Sequence, residues 1–158
     1  MTTGVPEKKA EKRPATKVYL YRLPGDWIVL AGKTDADNDR LSLKIARPDD
    51  WWFHVRGLPG SHVVLRCATE PDRDTLKAAA AVAAYHSKAR GGGVVAVSGT
   101  LARHVTKPPG AKPGTVCIRK EEVFKVKPAI PVDAMPLPTR LETDVPPGPI
   151  TPYGEDDL

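Results

Sequence analysis

Two histidines, an arginine and a serine fall within nine consecutive residues, His54, Arg56, Ser61 and His62, around the turn Leu58-Pro59-Gly60. An arginine offers a bidentate fork to phosphate, and a serine hydroxyl with the N–H groups that follow Gly60 can complete an anion nest. His54 and His62 stand eight positions apart across the turn, so they can face one side of a hairpin and meet one ligand, or hold the turn by structural hydrogen bonds. Pro59-Gly60 suits a type II turn, with Gly60 at positive φ. Trp51, Trp52 and Phe53 lead into this stretch. Strand side chains alternate, so Trp52 is expected to face opposite to Trp51 and Phe53. One face is then core, and an exposed Trp52 would stack a base at about 1–3 kcal/mol.

Other chemistries fit less well. Ser61 lacks a Gly-x-Ser-x-Gly elbow. A His62 acid–base pair with Asp50 or Asp39 would make an RNA-modifying or RNA-cleaving enzyme, but nothing in the sequence brings those groups together. The histidines and cysteines have no zinc-ligand spacing. In the run Asp35-Ala36-Asp37-Asn38-Asp39, a calcium loop would need Gly and Glu where the chain has Arg40 and Ala46. Asp39 is expected to pair with a basic neighbour or cap a helix, and Asn38 to shape the turn. No metal, cofactor or catalytic residue is implied.

The elements that must position these groups follow from pattern. Residues 18–23 and 27–31 are apolar runs about Pro24-Gly25-Asp26, a hairpin. A short helix is predicted over Arg40–Ala46, capped by Asp37, Asn38 or Asp39 and ending before Pro48. Strands are predicted at 51–56 and 61–67. A long helix runs from Asp74 to Arg90, capped by Asp72 or Asp74, with Lys88 and Arg90 in its last turn and Gly91-Gly92-Gly93 as its stop. Its inner face is Leu76, Ala79, Ala80 and Ala83. Strands follow at 94–97, 102–105, 116–119 and 123–126, with Pro108-Pro109-Gly110 and Lys112-Pro113-Gly114 as a stiff basic loop. The expected fold is α+β: a mainly antiparallel sheet packed with one long and one short helix.

With 158 residues the chain holds one domain with a real core. Residues 17–127 carry 19 Lys and Arg against 11 Asp and Glu, a net of +8. Residues 1–16 read as a disordered basic arm. Residues 128–158 hold 8 of the 17 prolines with one basic and six acidic residues, and 129–158 reads as a Pro-rich, acidic, disordered tail. A basic domain beside an acidic tail points to a polyanionic partner, for which the tail can compete. Cys67 and Cys117 suit reduced thiols, no apolar run reaches the roughly 18 residues of a bilayer span, and a cytoplasmic location is expected.

Several motifs then fall in order: Asn38-Asp39-Arg40-Leu41, Lys44-Ile45-Ala46-Arg47-Pro48, Trp52-Phe53-His54-Val55-Arg56-Gly57, Pro59-Gly60-Ser61-His62-Val63-Val64, Ala84-Tyr85-His86-Ser87-Lys88-Ala89-Arg90, and the run from Lys107 to Gly114. Over residues 17–128 the chain resembles the NFACT-R domain, the RNA-binding module of the NFACT proteins. The family's large members engage tRNA and the large ribosomal subunit in ribosome-associated quality control and support template-free tailing of stalled chains. The resemblance covers this module alone, so a standalone protein is expected, to which tail synthesis does not transfer. Standalone forms imply a link to RNA metabolism, including RNA modification. Two departures stand out: Gly32-Lys33-Thr34 replaces a frequent Gly-Arg-Asn, and Val97-Ser98-Gly99-Thr100 lacks a tyrosine often found there.

The resemblance and the basic charge together imply binding of structured RNA, tRNA or rRNA and through it the ribosome, with no DNA preference and no membrane. The expected RNA-binding residues are Lys44, Arg47, Trp52, His54, Arg56, Ser61, His62, Lys88, Arg90, Lys107 and Lys112, and Asn38, Asp39, Pro59 and Gly60 are expected to shape the turns. A protein-interaction module that docks partners through its proline-rich tail is the third reading, beside RNA binding and RNA processing.

Overall fold

A computed structural model describes residues 15–131 and the backbone of 137–142. Its elements in chain order are β1 (Ala15–Leu23), β2 (Trp27–Gly32), α1 (Asp35–Arg40) with a π-helical continuation (Leu41–Ile45), β3 (Trp51–Val55), β4 (Val63–Leu65), α2 (Arg73–Tyr85), β5 (Val95–Leu101), a 3₁₀ turn (Ala102–His104), β6 (Val105–Thr106), β7 (Cys117–Ile118), β8 (Glu122–Val126) and β9 (Leu137–Glu142). Seven strands form one sheet in the order β8-β5-β3-β4-β2-β1-β9, every neighbouring pair antiparallel, and β6 and β7 form a separate hairpin. The fold is α+β, as the alternation of short strands with one long alanine-rich helix requires.

Both faces of the sheet are covered. Phe53, Val63, Leu65, Tyr21 and Val97 pack with Leu76, Ala79, Ala80 and Ala83 of α2. The alanines allow that close approach. On the opposite face Val18, Leu20, Leu30, Trp52 and Val64 pack with Leu41 and Ile45 and with Val105 of the hairpin. Trp52 and Phe53 thus serve opposite cores, as strand alternation dictates.

The first helix begins earlier than its apolar pattern indicates. Thr34 is its cap, in a reciprocal capping box with Asp37, so the acidic run 35–39 is itself the helix. The Asp37 carboxylate also accepts from Lys17 N at 3.0 Å and from Arg40 at 2.9 Å. The second helix stops five residues short of the predicted Arg90. Asp72 caps it, but His86 leaves helical geometry, and its carbonyl accepts from Ser61 N at 2.8 Å while Gly60 bridges to Ser87. A tertiary contact, not the glycine run, ends the helix. The predicted strand 102–105 is largely the 3₁₀ turn.

The proline-rich tail departs most from expectation, because 137–142 forms β9 and pairs with β1, with Tyr19 opposite Pro138. Pairing is open to it because an edge strand leaves one row of backbone groups unpaired, where a residue without an N–H is tolerated. Residues 1–14, 132–136 and 143–158, which hold most of the predicted arm and tail, lie outside the described residues. No helix among the described residues is long and apolar enough to cross a membrane.

Candidate nucleic-acid interface

The 57–61 loop forms walls of two grooves, and its geometry differs from the predicted turn. Gly57, not Gly60, takes positive φ, at 74°. Gly60 is required for another reason: a Cβ there would lie 2.7 Å from the Ser87 Cβ. Pro59 O accepts from Lys88 N at 3.1 Å, so residues 59–61 are zipped onto residues 86–88. The type II pattern occurs instead at other Pro-Gly pairs. Gly25, Gly110 and Gly114 have φ of 89°, 78° and 86°, and a bond closes each four-residue turn, from Asp26 N to Leu23 O, Ala111 N to Pro108 O and Thr115 N to Lys112 O.

His62 sits at the base of the first groove, only 2% exposed. Its Nε2 lies 3.2 Å from the Gly114 carbonyl, which can only accept, so Nε2 carries the proton. Its Nδ1 therefore accepts from the Ser42 hydroxyl at 2.8 Å, and Ser42 Oγ accepts from the Trp52 indole at 2.9 Å. The His62 backbone N–H donates to Asn38 Oδ1 at 3.0 Å. Burial, and then the neighbouring His54, push the His62 pKa down to about 4, so the ring is neutral near pH 7. With both nitrogens engaged, His62 holds the fold together and has no free donor for a ligand. Trp52, 3% exposed and bonded through its indole N–H, has no open face for a base, contrary to the expected stacking role. The Asp39 and Asp50 carboxylates are committed elsewhere: Asp39 accepts from Gly114 N and pairs with Lys107, and Asp50 accepts from Arg47 N and Cys67 N. Neither makes the acid–base pair with His62 that an enzyme would use.

The first groove, of roughly 290 Å³, runs between His54, Arg56 and Ser98 on the sheet and Thr115, Val116 and Ile118 on the hairpin. Arg56 pairs with Glu121 at 3.2 Å, and Ser98 Oγ donates to the same carboxylate. His54 is half-buried, and burial lowers its pKa.

The second groove, of roughly 340 Å³, is lined by Lys33, Ser61, His86, Ser87, Lys88 and Arg90 among others, with Asp35 on its rim. His86 stacks on Tyr19 at 5.3 Å and 14°, and its Nε2 lies 2.6 Å from the Tyr21 hydroxyl. Burial, and then Arg90, lower the His86 pKa to about 4, and burial first raises the Tyr21 pKa to about 12, so His86 and Tyr21 are neutral near pH 7. Lys33 lies over the Tyr19 ring at 4.5 Å, and Arg90 over the Tyr85 ring at 4.0 Å. Lys33, Lys88 and Arg90 form no ion pair among the described residues.

The expected site residues therefore divide. Arg56, Lys88 and Arg90 are exposed and His54 is half-buried, and all four line the grooves. Ser61 lines the second groove, but its hydroxyl donates to Gly32 O at 2.6 Å. Lys107 is spent inside its own loop, 3.1 Å from Asp39 and 2.6 Å from Lys112 O, whereas Lys112 is exposed. Lys44 and Arg47 are exposed and line neither groove. Sequence reasoning overlooked Lys33, Tyr19, His86, Ser42 and Glu121 as parts of this face. The signals were there for two of them, in the Gly32-Lys33-Thr34 departure and the Tyr85-His86-Ser87 motif.

A family model for the NFACT protein RNA binding domain matches residues 17–120. The chain is 40% identical over 121 residues to the Rqc2 homolog RqcH of Bacillus subtilis (strain 168), and 39% identical over 121 residues to the Rqc2 homolog RqcH of Streptococcus suis (strain 05ZYH33). Each match covers 77% of this chain but 21% and 22% of those proteins, so the chain spans about a fifth of the length of the curated relatives it matches. The solved C-terminal part of the fibronectin/fibrinogen-binding protein from Streptococcus suis is similar in fold, with a TM-score of 0.68 at 38% identity over 75% of this chain and 47% of that one.

Proposed function

Because this chain belongs to the family of NFACT RNA-binding domains, we propose that it binds structured RNA, tRNA or rRNA, in the cytoplasm, and through that RNA meets the ribosome. The observation that carries this reading is the second groove. Lys33, Lys88 and Arg90 have no acidic partner among the described residues and line the groove with the neutral ring of His86, which stacks on Tyr19. Cations neutralise phosphates and release counterions, which supplies affinity, and aromatic faces supply the stacking by which proteins hold unpaired bases. Arg56, already paired with Glu121, and Lys112 are further exposed cations. Nothing in this reading needs turnover, since the buried His62 is occupied in holding Ser42 and Gly114.

The test is a titration of labelled tRNA, followed by fluorescence anisotropy over a range of salt concentrations. RNA binding predicts steep salt dependence and a smaller slope in Lys33→Glu, Lys88→Glu and Arg90→Glu variants. The solved relative bears the name of a fibronectin/fibrinogen-binding protein, and this favours protein interaction as the second reading. Tight binding to fibronectin with indifference to RNA would replace the first reading by the second.

A further inference from the structure

The two grooves differ in chemistry. The second is cationic. The first has a half-buried histidine as one wall and valine and isoleucine opposite, and two of its lining residues, Arg56 and Ser98, hold the Glu121 carboxylate between them. We propose that the first groove takes one unpaired guanine base of a bound RNA strand, stacked on His54 and read along its edge by Glu121 and Arg56. This rests on the RNA-binding reading above.

Size limits the occupant. Roughly 290 Å³ lies just under the small end of ligand pockets, about 300–1,000 Å³, which suits one ring system and excludes a duplex. Stacking is prepared from behind. His54 lies over Trp52 at 6.1 Å, inclined by 27°, and edge-on to His62 at 5.5 Å. Trp52 and His62, the two rings against His54, are locked through Ser42. A neutral ring so supported offers a π-face, where a charged one would seek phosphate.

The edge chemistry selects the base. Arg56 Nε and Ser98 Oγ both meet Glu121 Oε2, so Oε1 has no partner among the described residues. The Arg56 guanidinium also keeps donors free, with its side chain 52% exposed. The groove thus has beside Arg56 a carboxylate oxygen, Oε1, with both lone pairs open. Of the four bases, guanine alone presents two adjacent, parallel donors, N1–H and the N2 amino group, that can converge on one such oxygen, with an acceptor, O6, beside them for the guanidinium. The shared 57–61 loop then lets flanking phosphates of the same strand reach Lys88 and Arg90 in the second groove.

The experiment uses the full chain and short labelled oligoribonucleotides, identical except for one central base in a uridine context, with affinity read by anisotropy. The guanine oligonucleotide should bind roughly tenfold tighter than the other three, the discrimination of one good bidentate edge contact. Glu121→Gln should bring the ratio of guanine to uracil affinity close to one, and Ser98→Ala should lower it in the same direction. Using the ratio cancels any general gain from removing a negative charge. Val116 and Ile118 methyl resonances should shift with the guanine oligonucleotide alone. Equal binding of all four with salt-steep affinity would overturn guanine recognition and leave RNA binding standing, as would a preference that Glu121→Gln leaves intact. Salt-insensitive background binding of these oligonucleotides and of tRNA would remove both readings.

Discussion

Replacing Ser42 by alanine deletes one oxygen and disconnects two buried groups. The Ser42 hydroxyl accepts from the Trp52 indole at 2.9 Å and donates to His62 Nδ1 at 2.8 Å, and all three residues are buried. Each orphaned group costs about 1–3 kcal/mol in lost solvation, so together the loss is roughly 2–6 kcal/mol, a large share of the about 5–15 kcal/mol of a typical domain. In urea, with a slope of about 1–3 kcal/mol/M, the unfolding midpoint should fall by one to two molar units, to order of magnitude. The assay is equilibrium unfolding followed by tryptophan fluorescence, in a cycle with Trp52→Phe, which removes the indole donor. In the Trp52→Phe background Ser42→Ala should cost less, because one of the two orphans no longer exists. A loss below about 0.5 kcal/mol, the range of neutral surface substitutions, would refute the view that this triad sets the face, and so would an equal loss in both backgrounds.

Acidification should destabilise the domain. The His62 pKa falls from 6.5 in the unfolded chain to about 4 in the fold, so the unfolded state binds more protons between those values and stability drops as pH falls through that window. A 2.5-unit span is worth about 3 kcal/mol, and His86 adds in the same direction; thermal unfolding at pH 7 and pH 4.5 checks it. Asp39→Ala frees Gly114 N and Lys107 together and should cost about 1–3 kcal/mol, with faster hydrogen exchange confined to residues 107–115. Lys107→Glu should mainly destabilise, whereas Lys112→Glu should leave stability unchanged and weaken RNA binding, read by denaturation and anisotropy on the same samples. Gly60→Ala forces the 59–61 loop off Ser87, where a Cβ would approach to 2.7 Å; a loss of about 1–3 kcal/mol is expected in urea unfolding.

Much of the framework can be read from residue order. Short apolar runs at 18–23, 27–31 and 51–55 mark strands, and the alanine face of 76–83 marks a helix by its period of 3.6, because each element buries one or both faces against a neighbour. The opposition of Trp52 to Phe53 follows from the pleat alone. The net of +8 over residues 17–127 and the ordered motifs indicate a polyanion-binding family member. What the chain order left open was decided by contacts between residues far apart in it. His62 and Lys107 look like ligands in sequence, since imidazole and ammonium serve either role. Ser42, 20 positions from His62, and Asp39, 68 positions from Lys107, turn them into structural groups. Lys33, Tyr19 and His86, separated by up to 67 positions, become a site only when β1, β2 and the end of α2 meet. The helix end at Tyr85 and the need for glycine at position 60 have the same origin, the docking of the 59–61 loop onto residues 86–88. Local pattern reports the period of burial. Whether a polar side chain faces solvent or a distant partner depends on what the folded sheet brings opposite it.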